Sequence, residues 1–224
     1  MSISEVGKNI QAIENELSPF KTCLLPVSKT FPVERILEAY QYGYKAFGEN
    51  RVQELTAKYE AMPKDIAWHL IGHLQTNKVK YIAGFIALIQ SVDSEKLLAE
   101  IDKQAAKVGR IIPCLLQVYI ASEETKFGWE ISEVKEFYSS NVISKYKNIS
   151  IKGLMGMASN SKDIGLVKSE FSVLKSLFEE LKSYDSLENS EMEVLSMGMS
   201  GDYLLAAEQG SNMVRMGSAV FGMR

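Results

Sequence analysis

The chain has 224 residues, 46% hydrophobic and 24% charged, enough to bury a large core as one domain or two small ones. Its 25 basic against 28 acidic residues leave a net charge of -3, so no basic surplus is available for a nucleic-acid backbone and no polybasic patch for a membrane surface. The first ten residues lack a basic segment leading into an apolar one, and the longest apolar stretch, 81–89, is too short to span a bilayer, which reads as a cytoplasmic protein.

Val6, Ile10, Ile13 and Leu17 recur every three to four residues and predict an amphipathic helix over 4–17. The apolar run 23–27 reads as a strand, and strand-like and helix-like patterns alternate after it. Helices are expected at 33–41, 51–60, 76–83, 94–108, 132–139, 162–182 and 202–209, and further strands at 46–47, 67–71, 85–89, 111–118, 151–154, 193–196 and 213–216. Eight such units average about 28 residues. That fits one α/β domain over 1–224, a single (β/α)8 TIM barrel with an extra N-terminal helix, better than an open sheet with a lid. The Ser- and Asn-rich segments 139–150 and 183–190 read as surface connections.

Cys23 and Cys114 lie in apolar runs and read as free, buried thiols. His69 and His73 are the only histidines, and no His, Cys or carboxylate cluster has metal-ligand spacing, so no metal is expected.

Lys29 closes the run Cys23-Leu24-Leu25-Pro26-Val27-Ser28-Lys29, which puts an amine at a strand's carboxyl end, where barrel enzymes carry out their chemistry. Two small-residue turns follow the seventh and eighth strands, where barrels commonly hold phosphate. In the first, Gly198 and Gly201 flank Ser200, which can cap the helix 202–209; in the second, Gly217 precedes Ser218. An amine that captures a carbonyl, together with a phosphate cradle, suggests pyridoxal phosphate. Arg215 is expected to point inward, where a permanent cation beside a pyridine nitrogen discourages its protonation. A solvated lysine and a surface ion pair are the plain alternatives for Lys29 and Arg215.

Several stretches resemble the YggS/PROSC family of pyridoxal-phosphate-binding proteins, nearly end to end and in the right order. They are Val27-Ser28-Lys29-Thr30, Phe47-Gly48-Glu49-Asn50-Arg51-Val52-Gln53-Glu54, Trp68 through Lys78, Gly153-Leu154-Met155 and the two C-terminal turns. The resemblance implies the fold-type III barrel of pyridoxal-phosphate proteins without a C-terminal β-domain. It implies that Lys29 forms the internal aldimine, that Asn50 lines the ring face, that Ser200, Gly217 and Ser218 hold the phosphate, and that Arg215 partners the pyridine nitrogen. Met197 and Met199 would pack nearby, with ordinary core filling as their plainer role. His69 reads as a core histidine, His73 as exposed, and Lys126 as lying near the cleft mouth. The function implied is cofactor and amino/keto-acid homeostasis, with apo-enzymes as recipients of the cofactor, a monomeric state and no certain catalytic residue. Two alternatives remain: an amino-acid racemase using Tyr44 or Tyr203 as a second base, and a phosphosugar lyase or isomerase.

Overall fold

The computed structural model describes residues 3–122, 127–184 and 188–223. Eight strands occur in chain order: β1 (Cys23–Pro26), β2 (Ala46–Glu49), β3 (Ala67–Leu70), β4 (Leu88–Val92), β5 (Ile112–Val118), β6 (Ile149–Gly156), β7 (Ser190–Ser196) and β8 (Met213–Met216). Every pairing between them is parallel, in the order β1-β8-β7-β6-β5-β4-β3-β2. A parallel bridge from Val27 to Gly48, with Ser28 N–H donating to the Gly48 carbonyl at 2.9 Å, closes β1 onto β2 and makes the sheet a barrel. The (β/α)8 expectation is met.

The helices form because their ends are capped and one face is apolar. In α1 (Glu5–Leu17) the Ser4 side chain accepts from Gly7 N–H at 3.1 Å, and Val6, Ile10, Ile13 and Leu17 are buried. α2 (Val33–Tyr42), α3 (Val52–Ala61), α4 (Glu95–Lys107), α5 (Ile131–Ser139), α6 (Ile164–Leu181) and α7 (Tyr203–Glu208) follow their strands. Ser94 caps α4 and Asp163 caps α6, while Glu130 and Glu133 form a capping box on α5. α1 is the additional helix, packed on α2, α7 and α8 (Ser218–Phe221). None of the described helices is long and apolar enough to cross a membrane.

Three differences from the sequence reading have local causes. The segment expected as a helix at 76–83 is a 3-10 helix, Thr76–Tyr81, tightened by bonds such as Lys78 N–H to Gln75 O at 2.9 Å. The fourth strand starts three residues later than expected, because Phe85 stacks on Tyr59 with 3.8 Å between ring centroids while the polar Gln90 and Ser91 lie within the strand. α8 follows β8 directly, where only a tail was expected.

The apolar side chains divide into a large core between sheet and helices, including Trp68, Phe47, Leu116 and Leu195, and a small cluster of Leu88, Leu115 and Met155. Leu115 and Leu116 are consecutive yet belong to different clusters, as expected when successive side chains point to opposite faces of a strand. The small cluster marks the barrel interior. Gly153 sits in β6 at φ +142, where the β6–β7 register shifts, and a Cβ there would collide with the Val194 carbonyl of β7. Gly153→Ala should therefore lower stability by more than about 2 kcal/mol, seen as a lower urea midpoint at unchanged slope.

Candidate functional site

Strand alternation decides what faces the barrel's mouth. In β1, Leu24 packs in the outer core, and Leu25 and Val27 approach Gly48 from the other side. Lys29 lies two residues beyond Val27, in the turn that Phe31 N–H closes by donating to Ser28 O at 3.1 Å, and Asn50 lies two residues beyond Gly48. In β8, Val214 and Met216 belong to the outer core, so Met213, Arg215 and Gly217 take the inner face. Backbone bonds hold these ends level: Val27 N–H donates to Met216 O at 2.8 Å, and Arg215 N–H to Gly198 O at 3.0 Å. The carboxyl ends of β1, β2, β7 and β8 thus bring Lys29, Asn50, Ser200, Arg215, Gly217 and Ser218 to one end of the barrel. Lys29 is half-buried in the turn after β1, Asn50 half-buried after β2, and Ser200 and Ser218 exposed.

The residues between the inward-facing ones point outward, beneath α3, and there the sequence reading missed a cluster. Lys58 of α3 is buried, and its ammonium donates to Ser28 O, Glu49 Oε1 and Glu54 Oε1, each at 2.7 Å. Ser28 Oγ donates to Glu49 Oε1 at 2.6 Å and Thr30 N–H to Glu54 Oε1 at 2.5 Å. Burial pushes the Glu49 carboxyl above its ordinary range, against the opposing pull of Lys58 and Ser28. Glu49 and Glu54 lie within the quoted motif, but their outward direction could not be read before β2 was placed.

A second polar chain crosses the barrel interior. Arg215, fully buried, donates through Nη1 to both Ser196 O and Ser196 Oγ at 2.8 Å, and through Nη2 to Gly156 O at 3.1 Å. Ser196 Oγ donates to Gln90 Oε1 at 2.7 Å, and the Gln90 amide donates to His69 Nδ1 at 3.0 Å. Because an amide nitrogen only donates, His69 Nδ1 must accept, which makes the ring the neutral Nε2–H tautomer. Burial agrees with this, lowering the His69 pKa to about 4. Burial lowers Arg215 to about 10, partly offset by Asp202, so the guanidinium stays charged at neutral pH. Gln90 and Ser196 escaped the sequence reading because isolated polar residues in apolar runs carry no directional signal.

Around the mouth, Gly217 approaches β1 so closely that a Cβ would lie 3.2 Å from Val27 O, and it forms the N-cap of α8, of which Ser218 is the first residue. Asn50 Oδ1 is buried without a hydrogen-bond partner. Asn50 borders a cleft of about 600 Å³ that is also lined by Arg51, His73 and Lys78.

Of the remaining expectations, some hold and some are corrected. Ser200 does not cap the seventh helix: Asp202 occupies the N-cap position, and its carboxylate accepts from Met199 N–H at 2.6 Å. Cys23 is exposed and Cys114 buried, both free. Met197 is core, whereas Met199 is 39% exposed. Tyr44 precedes β2 at its amino end, with its hydroxyl on Glu14 at 2.7 Å, and Tyr203 donates to Glu16. Both are thus tied to α1 on the outside of the barrel, and burial raises both hydroxyls, Tyr203 to about 12. His73 is exposed as expected, paired with Asp93 at 2.8 Å and stacked on Phe127. Lys126 lies outside the described residues.

The family model for the alanine racemase N-terminal domain matches residues 1–224. The chain belongs to that family. Within the alanine racemase N-terminal domain family it falls in the YggS/PROSC group, among proteins named pyridoxal phosphate homeostasis protein. The one from Aquifex aeolicus is 40% identical over 226 residues, covering 99% of this chain and 96% of the relative. The one from Schizosaccharomyces pombe is 40% identical over 205 residues, covering 90% and 84%. The structure of PipY from Synechococcus elongatus with pyridoxal phosphate bound superposes with a TM-score of 0.85 at 31% identity, covering 97% of this chain and 100% of PipY. An alanine racemase from Streptomyces lavendulae, at 16% identity and a TM-score of 0.74, shares the fold; this chain spans 57% of it.

The neutral, buried His69 makes stability depend on pH. Its folded pKa lies below the unfolded 6.5, so the unfolded chain binds more protons between pH 6.5 and about 4. The contribution is complete above 6.5, is lost as pH falls toward 4, and is then flat. At most about 3 kcal/mol should disappear across that window, and His69→Gln should flatten the corresponding part of a denaturation-midpoint profile.

Proposed function

We propose that the chain binds pyridoxal 5'-phosphate at the carboxyl end of the barrel and acts in the homeostasis of that cofactor and of amino and keto acids. The observation that carries the reading is the convergence of Lys29, from the first strand, with Arg215 and the Gly217-Ser218 turn of the last, fastened by the Val27–Met216 hydrogen bond.

The residues present fit the group. The buried, unpartnered Asn50 Oδ1 leaves a polar atom for a ligand to satisfy, and the close approach of Gly217 to Val27 leaves backbone N–H groups at the start of α8 beside the mouth. When bound, pyridoxal phosphate supplies an aldehyde that an amine captures reversibly and a ring that withdraws electrons. Lys29 would provide the amine, Asn50 would lie toward the ring, and Ser200, Gly217 and Ser218 would hold the phosphate. Arg215, a cation at neutral pH, would disfavour a proton on the ring nitrogen and so weaken electron withdrawal.

That arrangement favours holding and releasing the cofactor over deprotonating amino acids. Tyr44 and Tyr203, the tyrosines considered as a second base, are bound to glutamates of α1 and have raised pKa values. We read the whole of 1–224 as one functional unit, a cytoplasmic monomer that passes the cofactor to apo-enzymes.

Titrating the cofactor-free protein with pyridoxal phosphate should produce the visible band of lysine-bound cofactor, and Lys29→Ala should abolish it with little change in the thermal midpoint. An unchanged band in the variant would remove Lys29 from its role. Incubation with single-enantiomer amino acids should leave their chirality intact for many hours; rapid racemisation would instead favour the enzyme reading.

A further inference from the structure

The cluster around Lys58 has no part in the ligand set above, yet it grips both neighbours of Lys29. Ser28 is held at three atoms: its N–H donates to Gly48 O at 2.9 Å, its Oγ to Glu49 Oε1 at 2.6 Å, and its carbonyl accepts from Lys58 Nζ at 2.7 Å. Thr30 is held by Glu54, which accepts its N–H while also pairing with Lys58. Thr30 has φ +66, a left-handed conformation that a β-branched residue rarely adopts. Such a conformation persists only where its surroundings impose it, and here the turn closed by Phe31 N–H donating to Ser28 O at 3.1 Å and the Thr30 N–H bond to Glu54 hold it together.

The setting of the cluster argues against a purely stabilising purpose. The side chain of Glu49 is 0% exposed and that of Lys58 7%, and Glu49 Oε2 is buried without a hydrogen-bond partner. Burying a cation with two carboxylates, and leaving one oxygen unsatisfied, is often no better for stability than apolar packing. What the cluster does provide is geometric definition. A single ammonium joins α3, the end of β2 and both residues flanking Lys29, so the direction of the intervening side chain is tied to the barrel wall.

We propose that Lys58 is a positioning residue for Lys29. Acting through Glu49 and Ser28 on one side and Glu54 and Thr30 on the other, it holds the turn in the conformation that presents the Lys29 amine to an incoming aldehyde. The proposal rests on the reading of Lys29 as the cofactor lysine. Lys58 does not touch the cofactor; its effect is on how fast, and how selectively, Lys29 reacts.

The test compares the wild type with Lys58→Met, which removes the ammonium at similar length, and Glu54→Gln, which keeps the shape but weakens the hold on Lys58 and Thr30. Two quantities are read on protein shown by circular dichroism to be folded. The first is the rate at which the visible band forms with pyridoxal phosphate under pseudo-first-order conditions. The second, in the absence of cofactor, is the labelling of Lys29 by dilute acetic anhydride relative to exposed Lys103 in the same molecule, measured by peptide mass spectrometry. Both variants should form the band at least about tenfold more slowly, since an ångström of misplacement costs up to about a hundredfold in such reactions. The labelling ratio should change by about threefold or more, because a turn released from Lys58 no longer presents the Lys29 amine in one fixed setting.

A folded variant that forms the band within twofold of the wild-type rate, and labels Lys29 at the wild-type ratio, overturns the proposal whatever its thermal midpoint. Should Lys58→Met not fold, Glu54→Gln decides alone, because its side chain is already 25% exposed. A wild-type protein without the band, or a Lys29→Ala protein that keeps it, would instead defeat the cofactor-lysine reading itself, and that result is distinct from a slow band in the Lys58 or Glu54 variants.

Discussion

Closure of the barrel at β1 is the constraint on which the site depends. β1 is a four-residue strand held on one side by β8 and on the other by the Val27–Gly48 bridge. Parallel neighbours have their carboxyl ends at the same end of the barrel, so this closure makes residues about 190 positions apart in the chain adjacent at the mouth. The Val27 N–H to Met216 O bond and the Ser28 N–H to Gly48 O bond extend that pairing to the residues just before Lys29 and Gly217.

Two polar systems use the two faces of that closed sheet. On the inner face, Arg215 is surrounded by neutral acceptors in a chain through Ser196 and Gln90 to His69, and burial has driven the only ring in it to its neutral form. Its hydrogen bonds run to dipoles, while the Asp202 carboxylate acts on the charge electrostatically. On the outer face, Lys58 is paired with carboxylates beneath α3 and grips the backbone around Lys29. The inner system sets the electrostatics of the mouth, and the outer one sets the geometry of its first loop.

Much of this was legible from residues alone. The three-to-four spacing of Val6, Ile10, Ile13 and Leu17 located the first helix to within a residue of its observed start, because amphipathicity is local; that Ser4 caps it was seen only in the structure. The candidate residues at strand ends were legible because a barrel's chemistry lies at one end of every strand. The fourth strand was misplaced because Phe85 and Ile86 are as apolar as a strand, and only packing of Phe85 on Tyr59 assigns them to a connection. The 3-10 helix at Thr76–Tyr81 has ordinary helical composition, and nothing local distinguishes the tighter winding. Ser200 looked like a cap because serine favours that position, but the turn Met199–Asp202 closes through the aspartate instead.

By itself, the sequence determined the succession of strands and helices, the fold they imply, and the lysine and glycine-bearing turns at strand ends, because periodicity, capping and turn chemistry act over a few residues. Only the tertiary structure decided which side of each strand faces the barrel interior and which distant groups meet there. Glu49 became a clamp on Lys29's neighbour, Gln90 a link between His69 and Ser196, and Tyr44 a residue on the outer wall, because each outcome depends on contacts between segments far apart in the chain, which no local pattern records.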